Sequence, residues 1–221
     1  MNKPISNPGP NAGRLADKYL RQGDPAGWFE AVYAGANWAE ASIPWAHRTV
    51  HPGFAEWPGR KKLAGAGQKA LVTGCGLGDD AEELARLDFA VTAFDISPTA
   101  IEWCRKRFPN STVKYTVADL FKLPATWGAR FDFVLEVQTI QSLPPELHPR
   151  AIQAVAGCVA PGGTLLAICS GDAPRSNYEG PPWPLTQAEL ASFQAHGLKE
   201  IRFEDYRVHP ARRRFRVEYR A

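Results

Sequence analysis

Short apolar runs alternate with amphipathic stretches along this chain, and their spacing sets the reading. Ala70-Leu71-Val72-Thr73, Ala90-Val91-Thr92-Ala93-Phe94, Val113-Lys114-Tyr115-Thr116-Val117, Phe131-Asp132-Phe133-Val134-Leu135-Glu136 and Gly163-Thr164-Leu165-Leu166-Ala167-Ile168 read as strands at βαβ spacing. An acidic helix start follows the first at Asp79-Asp80. The helix after the second opens with Ser97 as N-cap and Pro98 at its first position, carries Ile101, Cys104 and Phe108 on one stripe, and stops at Pro109-Asn110. A later helix begins with the capping box Thr186-Gln187-Ala188-Glu189, turns Leu190 and Phe193 inward and ends near His196-Gly197. Two strands, Lys199 to Tyr206 and Arg214 to Tyr219, close the chain around a loop with His209-Pro210. Ahead of the first strand lie a Pro-, Gly- and Asn-rich tail over residues 1 to 12, a short helix over Gly13 to Gln22, a tryptophan-rich stretch ending at Trp57-Pro58-Gly59, and the basic linker Arg60-Lys61-Lys62. The pattern predicts one sheet with helices on both sides.

The first strand runs into Gly74-Cys75-Gly76-Leu77-Gly78, where missing Cβ atoms permit a tight turn and close approach of backbone N–H groups to a ligand. Asp95 ends the second strand, where a carboxylate can accept both hydroxyls of a ribose. Asp79 and Asp80 would repel a pyrophosphate, yet they are compatible with a sulfonium cation carrying an ammonium group. Asp119, after the third strand, is placed to accept from an adenine amine.

In these features the chain resembles the class I S-adenosylmethionine-dependent methyltransferases, over roughly residues 70 to 221. The matching elements are the glycine loop, Asp95, Asp119-Leu120, Glu136 after the fourth strand, and Pro161-Gly162-Gly163 before the fifth. An apolar strand entering Gly-Cys-Gly, with Val72 where many members carry an acid, is similar to the subgroup of thiopurine S-methyltransferase and the halide or thiol methyltransferases. Trp28-Phe29-Glu30-Ala31-Val32-Tyr33, Trp38 and Ile43-Pro44-Trp45 resemble that subgroup's aromatic N-terminal segment. Pro145-Glu146-Leu147-His148-Pro149 resembles its Pro-Glu-Leu/Met-Arg element, with His148 in the arginine's place, and Gly180-Pro181-Pro182-Trp183 its Gly-Pro-Pro-aromatic loop.

The resemblance implies a doubly wound, seven-stranded, mostly parallel α/β sheet with an antiparallel C-terminal hairpin. An N-terminal tail and aromatic lid over residues 1–62 would precede a cofactor domain over 63–221. S-adenosylmethionine would be held by Gly74, Cys75, Gly76, Gly78, Asp95, Ile96, Asp119, Leu120, Glu136 and Trp45. A small-molecule acceptor would meet Tyr33, Trp38, Gln138, Gln141, His148 and Trp183. The implied reaction is methyl transfer to a thiol or other soft nucleophile. The alternatives are O- or N-methylation of a small metabolite, or a cofactor-binding module without transferase activity.

Composition narrows the picture little. The 221 residues are 44% hydrophobic and 22% charged, a composition typical of one globular domain. No stretch approaches a membrane span and no apolar signal core opens the chain, so the expectation is a cytoplasmic monomer or weak homodimer. A net charge of +3 does not suggest nucleic acid, and Arg212-Arg213-Arg214, Arg216 and Arg220 read as the solvated face of a strand. Cys75, Cys104, Cys158 and Cys169 fall in a loop, two helices and a strand end, without metal spacing.

Methyl transfer from a sulfonium is an in-line displacement that depends on alignment and exclusion of water. A thiol of pKa roughly 8.5 offers some thiolate at neutral pH, so a base is optional. No catalytic base stands out: His47, His51, His148, His196 and His209 are scattered, although His47 and His51 follow the aromatic segment. Tyr33, Trp38 and Trp45 read as a lid over the site or as cover for the sheet. Gln138 and Gln141, after the fourth strand, suggest a polar, uncharged surface.

Overall fold

The computed structural model describes residues 10–221 except 40, 41, 47, 58, 60, 61, 172–179, 210 and 211. His47, most of the N-terminal tail, and Arg60 and Lys61 of the linker therefore lie outside the described residues. Seven strands form one sheet: β1 (Lys69–Thr73), β2 (Ala90–Asp95), β3 (Lys114–Val117), β4 (Phe131–Val137), β5 (Val159–Ser170), β6 (Lys199–His209) and β7 (Arg212–Arg220). Their order is β3-β2-β1-β4-β5-β7-β6. The first five pair in parallel, whereas β7 runs antiparallel to both β5 and β6. The chain moves outward one way from β1 and the other way from β4. Such a reversal leaves a crevice beyond the carboxyl ends of the two central strands.

Alternation along the strands fills both faces. On one side Val72, Ala93, Phe133 and Leu135 pack with Leu84 of α4 (Asp79–Arg86), Ile101 of α5 (Pro98–Arg107) and Phe54 of α3 (Pro52–Ala55). On the other, Val134, Leu165, Phe215 and Tyr219 pack with Ile152 and Val155 of α6 (His148–Ala156) and Leu190 of α7 (Gln187–Ala191). Local signals act as the sequence indicates. The Ser97 hydroxyl accepts from the Ala100 N–H at 3.0 Å, and Thr186 with Glu189 forms the capping box.

A third cluster joins the N-terminal helices to α5. α1 (Pro10–Arg21) and α2 (Gly27–Gly35) bury Ala16, Trp28, Val32 and Tyr33 against Ala100 and Trp103. The aromatic stretch is thus packed as core on its α5 side.

Three expectations require correction. Arg214 and Arg216 are only 6% and 7% exposed, because residues around α3 cover that face of β7. Arg216 donates to the Gly53 carbonyl at 2.7 Å and to Glu204 at 2.6 Å, and Trp57 donates to Glu218 at 3.2 Å. Among the described members of the run only Arg220 is exposed, while Arg213, paired with Asp205, is half-buried. Cys158 sits in the turn after α6 rather than in a helix. Pro161-Gly162-Gly163, expected before the fifth strand, is an irregular stretch inside β5, where its register with β4 shifts. All four cysteines are free thiols. Among the described residues, no helix is long and apolar enough to cross a membrane.

Candidate active site

A cavity of about 240 Å³ opens beyond the carboxyl ends of β1, β2, β4 and β5. Its floor is the glycine loop. Gly74 has φ +53°, and a Cβ there would lie 2.5 Å from the Thr139 hydroxyl, so the loop fits against the segment after β4 only because the side chain is missing. Gly76, at φ +54°, faces Tyr33: a Cβ on it would reach to 3.2 Å from the phenol oxygen. The missing side chains leave a backbone-lined cradle under Tyr33 and Trp45, whose indole N–H donates to the Tyr33 hydroxyl at 2.7 Å.

Acids surround this cradle. Asp95 accepts from the Gly76 N–H at 3.0 Å and the Ser97 N–H at 2.9 Å, tying the loop to the N-terminus of α5. Burial pushes its carboxyl up to about 6, against the pull of those N–H groups. Asp119 accepts from the Phe121 N–H at 2.8 Å and borders the cavity beside Leu120. Asp80 accepts from the His51 N–H at 2.7 Å, and burial raises it to about 7. Asp79 is engaged elsewhere. Arg107 grips both its oxygens at 2.9 Å and also donates to the Leu77 carbonyl. Both aspartates still border the cavity, Asp79 with its charge met by Arg107. A backbone cradle with aromatic faces and buried carboxyls on one side fits a nucleoside carrying a cationic tail.

The structure brings together most of the expected residues: Tyr33, Trp45, Gly74, Cys75, Gly76, Asp95, Ile96, Asp119, Leu120, Gln138 and Gln141 all line the cavity. Five others do not. Gly78 is the left-handed N-cap of α4, closed in by Tyr115 and Cys104. Glu136 is fully buried behind the loop, where its Oε1 accepts from the Thr139 and Ile140 N–H groups and burial raises it to about 7. Trp38 is turned outward, stacked on Trp103 at 5.0 Å, with the Lys106 Nζ over its ring, 3.7 Å from the centroid. His148 is buried between Glu189, 2.8 Å away, and the Leu143 carbonyl at 2.9 Å, which makes it a packing element rather than an acceptor contact. Trp183 is not among the lining residues, and its backbone N–H donates to the Gln141 carbonyl at 2.6 Å.

The acceptor side includes residues the sequence reading did not select. His51 lies over Asp80 and Gln138, and Ser170 and Arg214 reach the cavity from β5 and β7. Gln138 holds φ +60°, a conformation a non-glycine residue adopts at a cost, with its N–H fixed on the Ile168 carbonyl at 2.8 Å. Among the described residues no cluster of three or more His, Cys, Asp or Glu is arranged for a metal.

A sheet of this order, with a glycine loop after β1 and a buried acid ending β2, defines a Rossmann-like methyltransferase that uses S-adenosylmethionine. The comparisons agree. The chain matches the thiopurine S-methyltransferase family over residues 34–219 and belongs to it. It is 28% identical over 181 residues to a probable thiol methyltransferase 2 of Arabidopsis thaliana, covering 79% of this chain and 74% of the relative. A ubiquinone biosynthesis O-methyltransferase of Xanthomonas campestris pv. campestris is 34% identical over 107 residues, but this match spans 48% of the chain and 44% of that enzyme. In fold the chain is similar to the 1,6-didemethyltoxoflavin-N1-methyltransferase of Burkholderia thailandensis, with TM-score 0.65, 15% identity, and coverage of 100% of this chain and 92% of that one. The protein is thus a small-molecule methyltransferase of this family.

Proposed function

We propose that this enzyme methylates the sulfur of a small thiol. One observation carries the reading. The His51 Nδ1 accepts from the Gly53 N–H at 3.1 Å, so in the neutral ring Nε2 holds the proton; the Gln138 Nε2, itself a donor, lies 3.5 Å away and makes no hydrogen bond to it in that tautomer. A histidine held in that tautomer donates a hydrogen bond and does not take a proton. An acceptor that ionises by itself suits such a site, and a thiol of pKa about 8.5 is a few per cent thiolate at pH 7.

S-adenosylmethionine, when bound, supplies an electrophilic methyl whose bond to the sulfonium breaks as the new carbon–sulfur bond forms, leaving a thioether and S-adenosylhomocysteine. Asp95 is the residue to receive the ribose hydroxyls, Asp119 the adenine amine, and Asp80 the charged amino-acid end. Tyr33 and Trp45 exclude water from the cradle and place aromatic faces beside positive charge. His51 and Gln138 orient the sulfur from the β4 side.

Asp80 favours a second reading, O-methylation, because a carboxyl at about 7 is suited to take a proton from a phenol. Formation of S-adenosylhomocysteine should be measured with thiols, phenols and amines across pH. Thiols as the preferred acceptors, with a rate that follows the acceptor's own pKa, support S-methylation. Phenols as the preferred acceptors, with activity lost in Asp80→Asn, would replace it.

A further inference from the structure

Tyr33 is 2% exposed, and its hydroxyl is only half satisfied. Trp45 Nε1 donates to the phenol oxygen at 2.7 Å, which occupies one lone pair and leaves the phenolic proton to be given elsewhere. Among the described residues no group accepts it. Tyr33 borders the cavity opposite Gly76, where a Cβ would lie 3.2 Å from the phenol oxygen, so the hydroxyl looks onto the bare backbone of the cradle. Burial, reinforced by the nearby Asp95 carboxylate, pushes the phenol well above its ordinary value and keeps it a donor.

The cradle is short of other donors. The N–H groups of Cys75, Gly76 and Gly78 are already given to the Phe94 carbonyl at 2.8 Å, to Asp95 at 3.0 Å and to the Cys75 carbonyl at 3.0 Å. Asp95, Asp119 and Asp80 border the same space and, when ionised, offer acceptors. Such groups suit the ribose, the adenine amine and the ammonium of S-adenosylmethionine, and they repel its carboxylate. A buried donor without an acceptor costs free energy in the empty site, and an ionised oxygen offsets that cost best. The carboxylate is the one anionic group that the cofactor carries.

We propose that the Tyr33 hydroxyl donates to the carboxylate of S-adenosylmethionine, with Trp45 as the positioning residue that turns the O–H toward it. The aromatic segment then recognises the charged end of the methyl donor as well as covering it. A fixed amino-acid end leaves the sulfonium less freedom to turn away from the acceptor, which favours in-line attack. The inference rests on the cofactor and does not depend on which nucleophile the acceptor brings.

The test is calorimetric titration of the full chain with three probes: S-adenosylhomocysteine, its decarboxylated analogue, which retains the ammonium, and methylthioadenosine, which lacks the whole amino-acid end. Tyr33→Phe, which removes one oxygen, should weaken S-adenosylhomocysteine by about tenfold or more and leave the other two probes within twofold. A loss shared by the decarboxylated analogue overturns the proposal, as does no loss at all. The unaltered chain should prefer S-adenosylhomocysteine to its decarboxylated analogue by about tenfold or more. Equal binding of those two overturns the contact, and this comparison stands even if the variant folds poorly. Trp45→Phe, which keeps an aromatic face and removes the N–H, should weaken S-adenosylhomocysteine with the same selectivity. In a chain that already carries Tyr33→Phe it should add nothing. Full additivity of the two substitutions overturns the positioning role of Trp45.

Discussion

Glu30 of α2 and Thr99 at the start of α5 are joined by two hydrogen bonds: the Thr99 hydroxyl donates to Glu30 Oε1 at 2.6 Å and its N–H to Oε2 at 3.1 Å. The Ser97 hydroxyl donates to the same Oε2 at 2.6 Å, next to the backbone that holds Asp95. A carboxylate at a helix N-terminus is favoured by the exposed N–H groups and the helix dipole. The aromatic segment is thereby latched to the cofactor half of the site. Glu30→Ala is expected to cost about 1–3 kcal/mol in thermal unfolding. Amide exchange should accelerate in α1 and α2 and remain slow in β1 and β4. Uniform acceleration across the chain would count against the latch.

Asp95 links stability to pH. Its folded pKa, about 6, lies above its ordinary 3.8, so the folded state binds this proton more tightly than the unfolded chain. Its contribution to stability is full below about 4 and is lost as pH rises to about 6. Cofactor binding should follow the opposite trend, because ribose hydroxyls donate to the ionised form. S-adenosylhomocysteine should bind more tightly as pH rises through about 6 and should release protons, measurable by calorimetry in buffers of different ionisation enthalpy. Asp95→Asn should weaken binding by about 1–3 kcal/mol and flatten this dependence in a chain that remains folded.

Gln138 holds a left-handed backbone at the mouth of the site, a conformation that costs a side chain about 1–3 kcal/mol. Gln138→Gly should retain or slightly raise the melting temperature while lowering turnover through loss of the amide from the cavity lining. Gln138→Val should lower the melting temperature by several degrees, since β-branching resists positive φ. The pair separates the backbone's role from the amide's.

His148→Ala is expected to act on the fold. It strands the Leu143 carbonyl and frees Glu189, which the hydrogen bonds from His148 and Thr186 hold down near 2 against burial that raises it. Stability should fall by about 1–3 kcal/mol. KM for cofactor and acceptor should stay within twofold. A large rise in acceptor KM without loss of stability would return His148 to the site.

Most of the cofactor half was legible in the sequence because its signals are local. Strand, glycine turn and acid follow one another within a few residues, and Ser97 and Thr186 cap their helices from one turn away. The acceptor half was less legible because its residues meet only in three dimensions. Arg214 alternates with Phe215 as a half-exposed strand would, and nothing near it in sequence shows that residues around Gly53 cover that face. Trp38 and His148 carry residue types suited to a site, yet a left-handed turn directs Trp38 outward and the α7 capping residue Glu189 engages His148. His51 gains its meaning only from the backbone of Gly53, which fixes the ring's proton.

The two halves of the cavity also differ in how freely they can vary over evolutionary time. A change at Gly74 strikes Thr139, and one at Asp95 disturbs both the loop and α5, so the cofactor side is locked by mutual dependence. Pro44, Thr49 and His51 belong instead to the connection between α2 and α3, outside the sheet's ladders. On the proposed reading, that connection can be redrawn for a different acceptor without touching Gly74 or Asp95.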